Sequence, residues 1–161
     1  MKQLLYVSLL LLVFASCEKE RAQRPIKETG LPESVVFSFG VSRGFCVGEC
    51  TKFYSITNEQ LFPDDMQQLQ KPLVFKTTAL SNEKYLIAKS LTDSFPAFLT
   101  NNPDTTFGCP DCHDQGAIYL EVKDDGVVKY WNIDTDETSA YTSGILDFAP
   151  RVATAGIGYH F

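Results

Sequence analysis

The sequence predicts an α+β domain with a mainly antiparallel sheet and one principal helix. Short segments rich in β-branched and aromatic residues lie on both sides of a single segment with helical spacing, at about residues 81–95. The pair Asp125-Gly126 joins two of these β-rich segments, and Asp-Gly is typical of a two-residue hairpin turn. At 44% hydrophobic residues, the chain has enough apolar material to build a core.

The first predicted strands lie before the helix. Residues 35–41 read Val-Val-Phe-Ser-Phe-Gly-Val, which predicts a buried strand, and residues 52–57 alternate as a second strand. Residues 62–65, Phe-Pro-Asp-Asp, predict a turn. Residues 73–78 predict a third strand.

The helix is predicted from its start, its spacing and its end. Ser81 is a typical capping residue, and the acidic Glu83 follows it in the first turn. Four residues then recur at helical spacing: Tyr85, Ala88, Leu91 and Phe95. Because proline disrupts helical hydrogen bonding, Pro96 ends this helix, and one further turn is expected at residues 98–99.

A hairpin is predicted after the helix. Residues 101–114 are rich in Asn, Asp, Pro and Gly and predict a loop. Residues 117–122 and 127–133 predict two strands on either side of the Asp-Gly turn. Because side chains alternate along a strand, we expect Tyr130 and Trp131 on opposite faces of the sheet.

The N-terminus has the features of a secretory signal. Lys2 precedes an apolar run at residues 4–14, which is shorter than the roughly 20 residues that a bilayer span needs. Small residues then lead to Cys17. The segment Val-Phe-Ala-Ser-Cys resembles a bacterial lipobox, and this resemblance implies that Cys17 carries acyl chains, palmitate among them, that anchor the mature protein to a membrane.

The sequence divides into three parts on this basis. Residues 1–16 are predicted to be a lipoprotein signal peptide, residues 17–33 a lipid-anchored flexible tether, and residues 34–161 a single α+β domain. The tether contains Pro and Gly and has no apolar period. The last residues, 153–161, alternate and predict an edge strand of the domain's sheet.

The residues next to the lipid-modified position predict the location of the protein. Glu18 follows Cys17 where an aspartate would retain a lipoprotein in the inner membrane. The run Glu18-Lys19-Glu20 resembles the export tags of surface lipoproteins in Bacteroidetes-type bacteria. We therefore expect an outer-membrane lipoprotein, with the periplasmic and the cell-surface orientation both open.

The charge balance excludes one large class of partner. The chain has 14 Lys and Arg against 20 Asp and Glu, for a formal net charge of -6. Nucleic-acid-binding domains normally present a basic face. We therefore expect no nucleic-acid partner, and the membrane, through the lipid anchor, is the partner that the sequence indicates. A protein or small-molecule partner is not specified by the sequence.

The remaining cysteines carry the strongest chemical signal. Four of them follow Cys17, which predicts a disulfide framework in an exported chain: Cys46, Cys50, Cys109 and Cys112. Four cysteines allow three pairings. We favour the two local pairs, because Gly48 allows the first segment to turn and Pro110 bends the second.

The same cysteines allow three other interpretations. Cys46, Cys50, Cys109 and Cys112 have a spacing that could hold a tetrahedral zinc ion. Cys109 to His113 also forms a literal C-x-x-C-H, the attachment motif of a c-type haem. The C-P-x-C form of the segment is typical of redox-active dithiols as well. An oxidising compartment favours structural disulfides over a zinc site, a haem or a redox-active dithiol, so we expect no cofactor.

The two cysteine segments resemble a known group of proteins. Gly44-Phe45-Cys46-Val47-Gly48-Glu49-Cys50 before a strand, and Gly108-Cys109-Pro110-Asp111-Cys112 before a hairpin, are similar to segments of an uncharacterised lipoprotein family from Bacteroidetes-type bacteria. The resemblance covers about residues 35–135. It implies a secreted α+β domain of unknown activity and supplies no catalytic residue. That family commonly has alanine at the position of His113, which counts against a haem.

No catalytic motif appears in the sequence. The chain has only two histidines, His113 and His160, and no nucleophile elbow, zinc-protease motif or phosphate-binding glycine loop. The sequence therefore predicts a non-catalytic binding or structural module. The alternative is a redox or metal-handling lipoprotein that acts through Cys109 and Cys112.

Overall fold

One sheet with two helices against it makes up the part of the chain that the computed structural model describes, residues 30–135 and Arg151. The elements in this part are β1 (Val36–Ser42), β2 (Thr51–Thr57), β3 (Gln60–Pro63), α1 (Asn82–Asp93), α2 (Ala97–Asn101), β4 (Thr105–Phe107), β5 (Ala117–Asp124) and β6 (Val127–Asp134). The strand order is β3-β2-β1-β5-β6-β4, and only the β4–β6 pair is parallel. The predicted α+β class is confirmed.

Most of the predicted elements occur close to their predicted bounds. Strands β1, β2, β5 and β6 and the principal helix α1 are present, and Pro96 separates α1 from the expected further turn, α2. The Asp125-Gly126 turn has the positive φ values that were the reason to expect it, 48° and 81°. Residues 1–29 and 153–161, with the predicted signal and the predicted edge strand, lie outside the described residues.

Two short strands differ from the sequence-based assignment. The turn predicted at residues 62–65 is wrong in part, because β3 runs to Pro63 and the chain turns instead at Asn58 and Glu59, with φ of 49° and 57°. β4 lies inside the predicted loop 101–114. The strand predicted at residues 73–78 is reduced to a single bridge between Asp64 and Phe75.

The helices cover one face of the sheet and form the hydrophobic core with it. Phe95 follows α1 and packs edge-on against Phe37, with ring centroids 5.5 Å apart. It also lies 5.2 Å from the Trp131 ring. The buried side chains on this face include Phe37, Phe39, Ile56, Leu61, Ile118, Leu120, Val122, Trp131 and Ile133. Neither helix in residues 30–135 has the length and apolar content that crossing a bilayer requires.

Trp131 connects the sheet to α2. Its indole N–H donates to the carbonyl oxygens of Leu99, at 3.0 Å, and Asn102, at 2.7 Å. These carbonyls lie at the C-terminal end of α2, where a helix runs short of internal donors. The Leu99 carbonyl also accepts from the Asn102 N–H, at 3.0 Å. Tyr130 points to the other face, as predicted, and is only half-buried.

The second face of the sheet is more polar but is also partly buried. Ser38 and Ser55 are opposite each other on β1 and β2, with their hydroxyl oxygens 3.3 Å apart. Next to them, the rings of Phe53 and Tyr119 meet edge to face, with centroids 6.0 Å apart. Gly40 lies between these two residues in the register, so the rings close over a position that has no side chain.

The chain enters the domain along α1. The Gly30 N–H donates to the Phe95 carbonyl at 3.1 Å, and the Leu31 N–H donates to the Thr92 carbonyl at 2.8 Å. Residues 30–33 were assigned to the tether from the sequence, but Gly30 and Leu31 are hydrogen-bonded to the folded domain. Leu31 shares a shallow cleft with Asn58 and Glu59 of the β2–β3 turn.

The sheet therefore has two distinct ends. At the entry end, which carries Leu31 and the β2–β3 turn, Val36 of β1 pairs with Lys123 beside the Asp125-Gly126 turn. At the other end, which we call the distal end, Ser42 of β1 pairs with Ala117 of β5. Across the length of one strand, about 20 Å, these ends are separate surfaces.

We expect Gly40→Ala to destabilise the domain by about 1–3 kcal/mol, the usual cost of overpacking a core. A β-carbon at this position would lie 2.7 Å from the Phe53 α-carbon and 2.8 Å from its ring. Because the Phe53 α-carbon belongs to the paired strand, it cannot move alone, and β1 and β2 must shift apart. Urea unfolding followed by tryptophan fluorescence measures the loss.

Val128→Ala is the matched control, because Val128 lies on β6 and is 45% exposed. It should change stability by much less than Gly40→Ala. Equal midpoints for Gly40→Ala and the wild type would show that the rings do not close over Gly40 as described.

Candidate functional site

Two disulfide-closed loops form the distal end of the sheet. The structure pairs Cys46 with Cys50 and Cys109 with Cys112, each with 5.5 Å between the α-carbons. The favoured local pairing is thus the arrangement in the structure. The first loop joins β1 to β2, and the second lies just before β5, which is the neighbour of β1.

The first loop presents two apolar side chains to solvent. Phe45 is 86% exposed and Val47 is fully exposed, although both are within or next to the ring that the Cys46–Cys50 disulfide closes. Gly48 has a φ of 97°, which lets the chain reverse between the two cysteines.

The base of this loop is fixed to the sheet by Cys50. The Arg43 N–H donates to the Cys50 carbonyl, and the Cys50 N–H donates to the Gln67 carbonyl, both at 2.9 Å. The Cys50 side chain is itself buried. The disulfide therefore links the exposed part of the loop to a buried anchor.

The second loop has an unusual backbone. Four of its positions are in the left-handed region, with φ between 60° and 87°: Gly108, Asp111, Asp114 and Gly116. The Asp111 N–H donates to the Gly116 carbonyl at 3.1 Å, and the Gly116 N–H donates to the Asp111 carboxylate at 2.9 Å. This reciprocal pair closes the loop at its base.

Gln115 and Asp134 hold the cysteine segment of the second loop from the other side. The Gln115 side-chain amide donates to the Cys109 carbonyl and to the Asp134 carboxylate, both at 3.0 Å. The Cys109 N–H donates to the same carboxylate at 3.0 Å. The Gln115 side-chain oxygen accepts from the His113 N–H at 2.7 Å. An exposed loop thus has a network of bonds like that of a buried turn.

Asp111 joins the two loops to each other. Its carboxylate accepts a hydrogen bond from the Gly44 N–H of the first loop as well as one from the Gly116 N–H of its own loop. Because one carboxylate accepts from both backbones, the two disulfide loops form one surface. The sequence contains Asp111 between the two cysteines but gives no sign of this long-range contact.

The structure does not gather the four cysteines into one cluster. Each cysteine is bonded to its local partner, and among residues 30–135 no group of three or more His, Cys, Asp or Glu side chains is placed to hold a metal ion. In the disulfide state the sulfurs of Cys109 and Cys112 are bonded to each other and cannot form thioether bonds to a haem. Cys17 lies outside the described residues.

The two disulfides differ in their exposure to solvent. Cys109 and Cys112 are both exposed, whereas Cys50 is buried and Cys46 half-buried. A reducing thiolate must reach a sulfur atom in order to attack it. The second disulfide is therefore the accessible one.

We expect Cys109–Cys112 to be reduced before Cys46–Cys50 when the folded protein is treated with a limiting amount of a dithiol. Alkylation followed by mass mapping identifies the cysteines that have been freed. Each local disulfide closes a short loop, so the double serine variant of either pair should lose about 2 kcal/mol of stability and still fold. A disulfide-linked peptide from both segments, or earlier alkylation of Cys46 and Cys50, would contradict this arrangement.

We also expect Asp111→Asn to loosen the contact between the loops and to cost about 1 kcal/mol, since one acceptor oxygen replaces two. Asparagine tolerates the positive φ at this position, so the change tests the hydrogen bonds and not the backbone conformation. Amide hydrogen exchange at Gly44 and Gly116 measures the effect. Asp114→Asn, in the same loop and with a similar φ of 61°, is the control and should leave both amides protected. Unchanged exchange in Asp111→Asn would contradict the bridge.

Comparisons with other proteins do not add a family to this description. The chain matches no protein-family model, no curated protein and no solved structure. The likeness of its cysteine segments to a lipoprotein family thus stays an expectation from sequence, and the assignment of this end as the candidate site follows from the chain's own residues.

Proposed function

We propose that this protein is an outer-membrane lipoprotein whose domain is a non-catalytic binding module that presents its distal end to a partner. One observation carries the proposal. The chain enters the domain at one end of the sheet, and the two disulfide loops cap the opposite end. With a lipid on Cys17, the entry end is the end that the tether joins to the anchor, and Phe45 and Val47 lie at the opposite end of the sheet.

The rigidity of the loop supports binding at this end. Val47 lies inside a closed ring with a buried base, and Phe45 lies directly before that ring. A flexible loop could instead fold both side chains against the domain. Ordering a loop on association costs free energy, and a preformed loop avoids much of that cost. An exposed aromatic residue beside a β-branched residue, held in one shape, is suited to enter an apolar pocket of a partner.

The charges around the apolar pair indicate what kind of partner surface fits. Glu49, Asp111 and Asp114 are acidic groups of the two loops, and Arg43 is the basic one. A complementary partner would have an apolar pocket with mainly basic groups at its rim, since complementary charges favour encounter and orientation. The partner that we propose is therefore a protein.

A second candidate function is thiol–disulfide exchange through Cys109 and Cys112, which the exposure of both cysteines favours. Equilibration with glutathione separates the two functions. Structural disulfides of exported proteins have reduction potentials below about −300 mV, and exchange-active ones lie higher. If the domain is a binding module, the Cys109–Cys112 disulfide should have a reduction potential below about −300 mV.

We expect a photo-crosslinking residue at position 45 to give a discrete protein adduct in cells of the native organism. The same residue at position 127 is the matched control, because Val127 is 60% exposed but lies at the entry end. The adduct should be lost in a Cys17→Ser variant, which should also no longer incorporate labelled palmitate. Palmitate incorporation into Cys17→Ser would disprove the anchor, and equal adducts from positions 45 and 127 would disprove the distal binding end.

A further inference from the structure

A lysine ammonium lies over two tyrosine rings on the sheet face that the helices leave free. The Lys71 ammonium is 4.5 Å from the ring centroid of Tyr119 and 4.4 Å from that of Tyr130. The two rings are 6.2 Å apart and within 17° of parallel. Both distances are well inside the range of cation–π attraction, so the tyrosine pair (Tyr119 and Tyr130) attracts one positive charge jointly.

The surroundings of the tyrosine pair favour a cation further. The Tyr119 hydroxyl donates to the Glu121 carboxylate at 2.9 Å, which places a negative charge beside the rings. Burial, and then Glu121, raises the pKa of Tyr119 well above its ordinary value. The phenol therefore stays protonated and neutral, and the site has aromatic faces with one carboxylate at the edge.

Lys71 lies in a loop that is bonded to the rest of the domain on either side of it, at Gln67 and at Val74. The chain that carries it leaves the sheet after Met66 and Gln67, where the Gln67 carbonyl accepts from Cys50 at 2.9 Å. It returns at Val74, whose carbonyl accepts from Asp65 at 2.9 Å. Lys71 is exposed, and so are its neighbours in the segment 67–72. The Lys71 ammonium therefore reaches the tyrosine pair from an exposed loop and is not part of the sheet.

We propose that the tyrosine pair is a binding site for alkylammonium ligands, and that Lys71 occupies this site until a ligand displaces it. The recognised chemistry is a cationic nitrogen bearing hydrocarbon groups, which gains from aromatic faces on one side and the Glu121 carboxylate nearby. A metal cation would need several oxygen ligands instead. The proposal is independent of the distal binding end, because it uses different residues on the face of the sheet.

A tethered lysine competes with a free ligand as if it were present at a millimolar concentration. Removing the lysine should therefore uncover the site without building a new one. In Lys71→Ala we expect choline to bind about tenfold more tightly than it binds the wild type. Titration followed by the NMR signals of the tyrosine rings, or by calorimetry, measures this ratio.

An uncharged isostere separates cation recognition from simple burial of hydrocarbon. In 3,3-dimethylbutan-1-ol a carbon atom replaces the nitrogen of choline, so shape is conserved and charge is lost. We expect Lys71→Ala to bind choline at least about fivefold more tightly than this alcohol, as cation–π attraction to two rings implies. Equal affinity for the two compounds, or no binding of either, would overturn the proposal.

Three further variants test whether choline binds at the tyrosine pair. In the Lys71→Ala background, Tyr130→Phe keeps the ring and should keep choline binding, whereas Tyr130→Leu keeps the bulk and should abolish it. Lys76→Ala removes another exposed lysine just after the loop and should leave the wild-type affinity unchanged. Choline binding that survives in Tyr130→Leu, or an increase in Lys76→Ala as large as in Lys71→Ala, would contradict the assignment. Circular dichroism of each variant shows that the fold is retained.

Discussion

The indole of Trp131 is the contact on which the arrangement of the domain depends. It lies in β6 between β5 and β4, packs against Phe95 behind α1, and donates to two carbonyls at the end of α2. A buried indole N–H needs an acceptor, and the end of a helix needs a donor, so each satisfies the other. From the end of α2 the chain passes into β4 and then into the Cys109 loop. The hydrogen bonds of the Trp131 indole thus help to fix where the Cys109–Cys112 loop lies.

The two faces of the sheet follow different physical rules. The helix-covered face is apolar and closely packed, and its residues show the alternation that hydrophobic burial demands. The other face has paired serines, aromatic rings that close over Gly40, and a lysine above two tyrosines. Its contacts are directional, through hydrogen bonds and ring electrostatics, so this face can recognise a chemical group where the first face only excludes water.

Local patterns account for what could be predicted from the sequence, and long-range contacts account for what could not. The helix and the hairpin strands follow from periodicity, from Pro96 and from the Asp125-Gly126 turn, which act over a few residues. β4 has three residues and exists because β6 lies next to it, and the β2–β3 turn has no glycine to mark it. The four cysteines were visible in the sequence, but the Asp111 bridge and the Lys71 contact join residues that are far apart in the chain. No local pattern encodes such pairs.

The left-handed backbone of the second disulfide loop has a consequence for how this protein can vary. Substitutions at exposed positions are usually tolerated, since few contacts depend on them. Here Gly108, Asp111, Asp114 and Gly116 each occupy a conformation that most side chains disfavour, whatever their exposure. A substitution at any of these four positions therefore meets a backbone restriction, although the positions lie in a loop. In the first loop Phe45 and Val47 are almost fully exposed and have φ values that any residue adopts, so substitutions there can change the surface of the distal end with little effect on the fold.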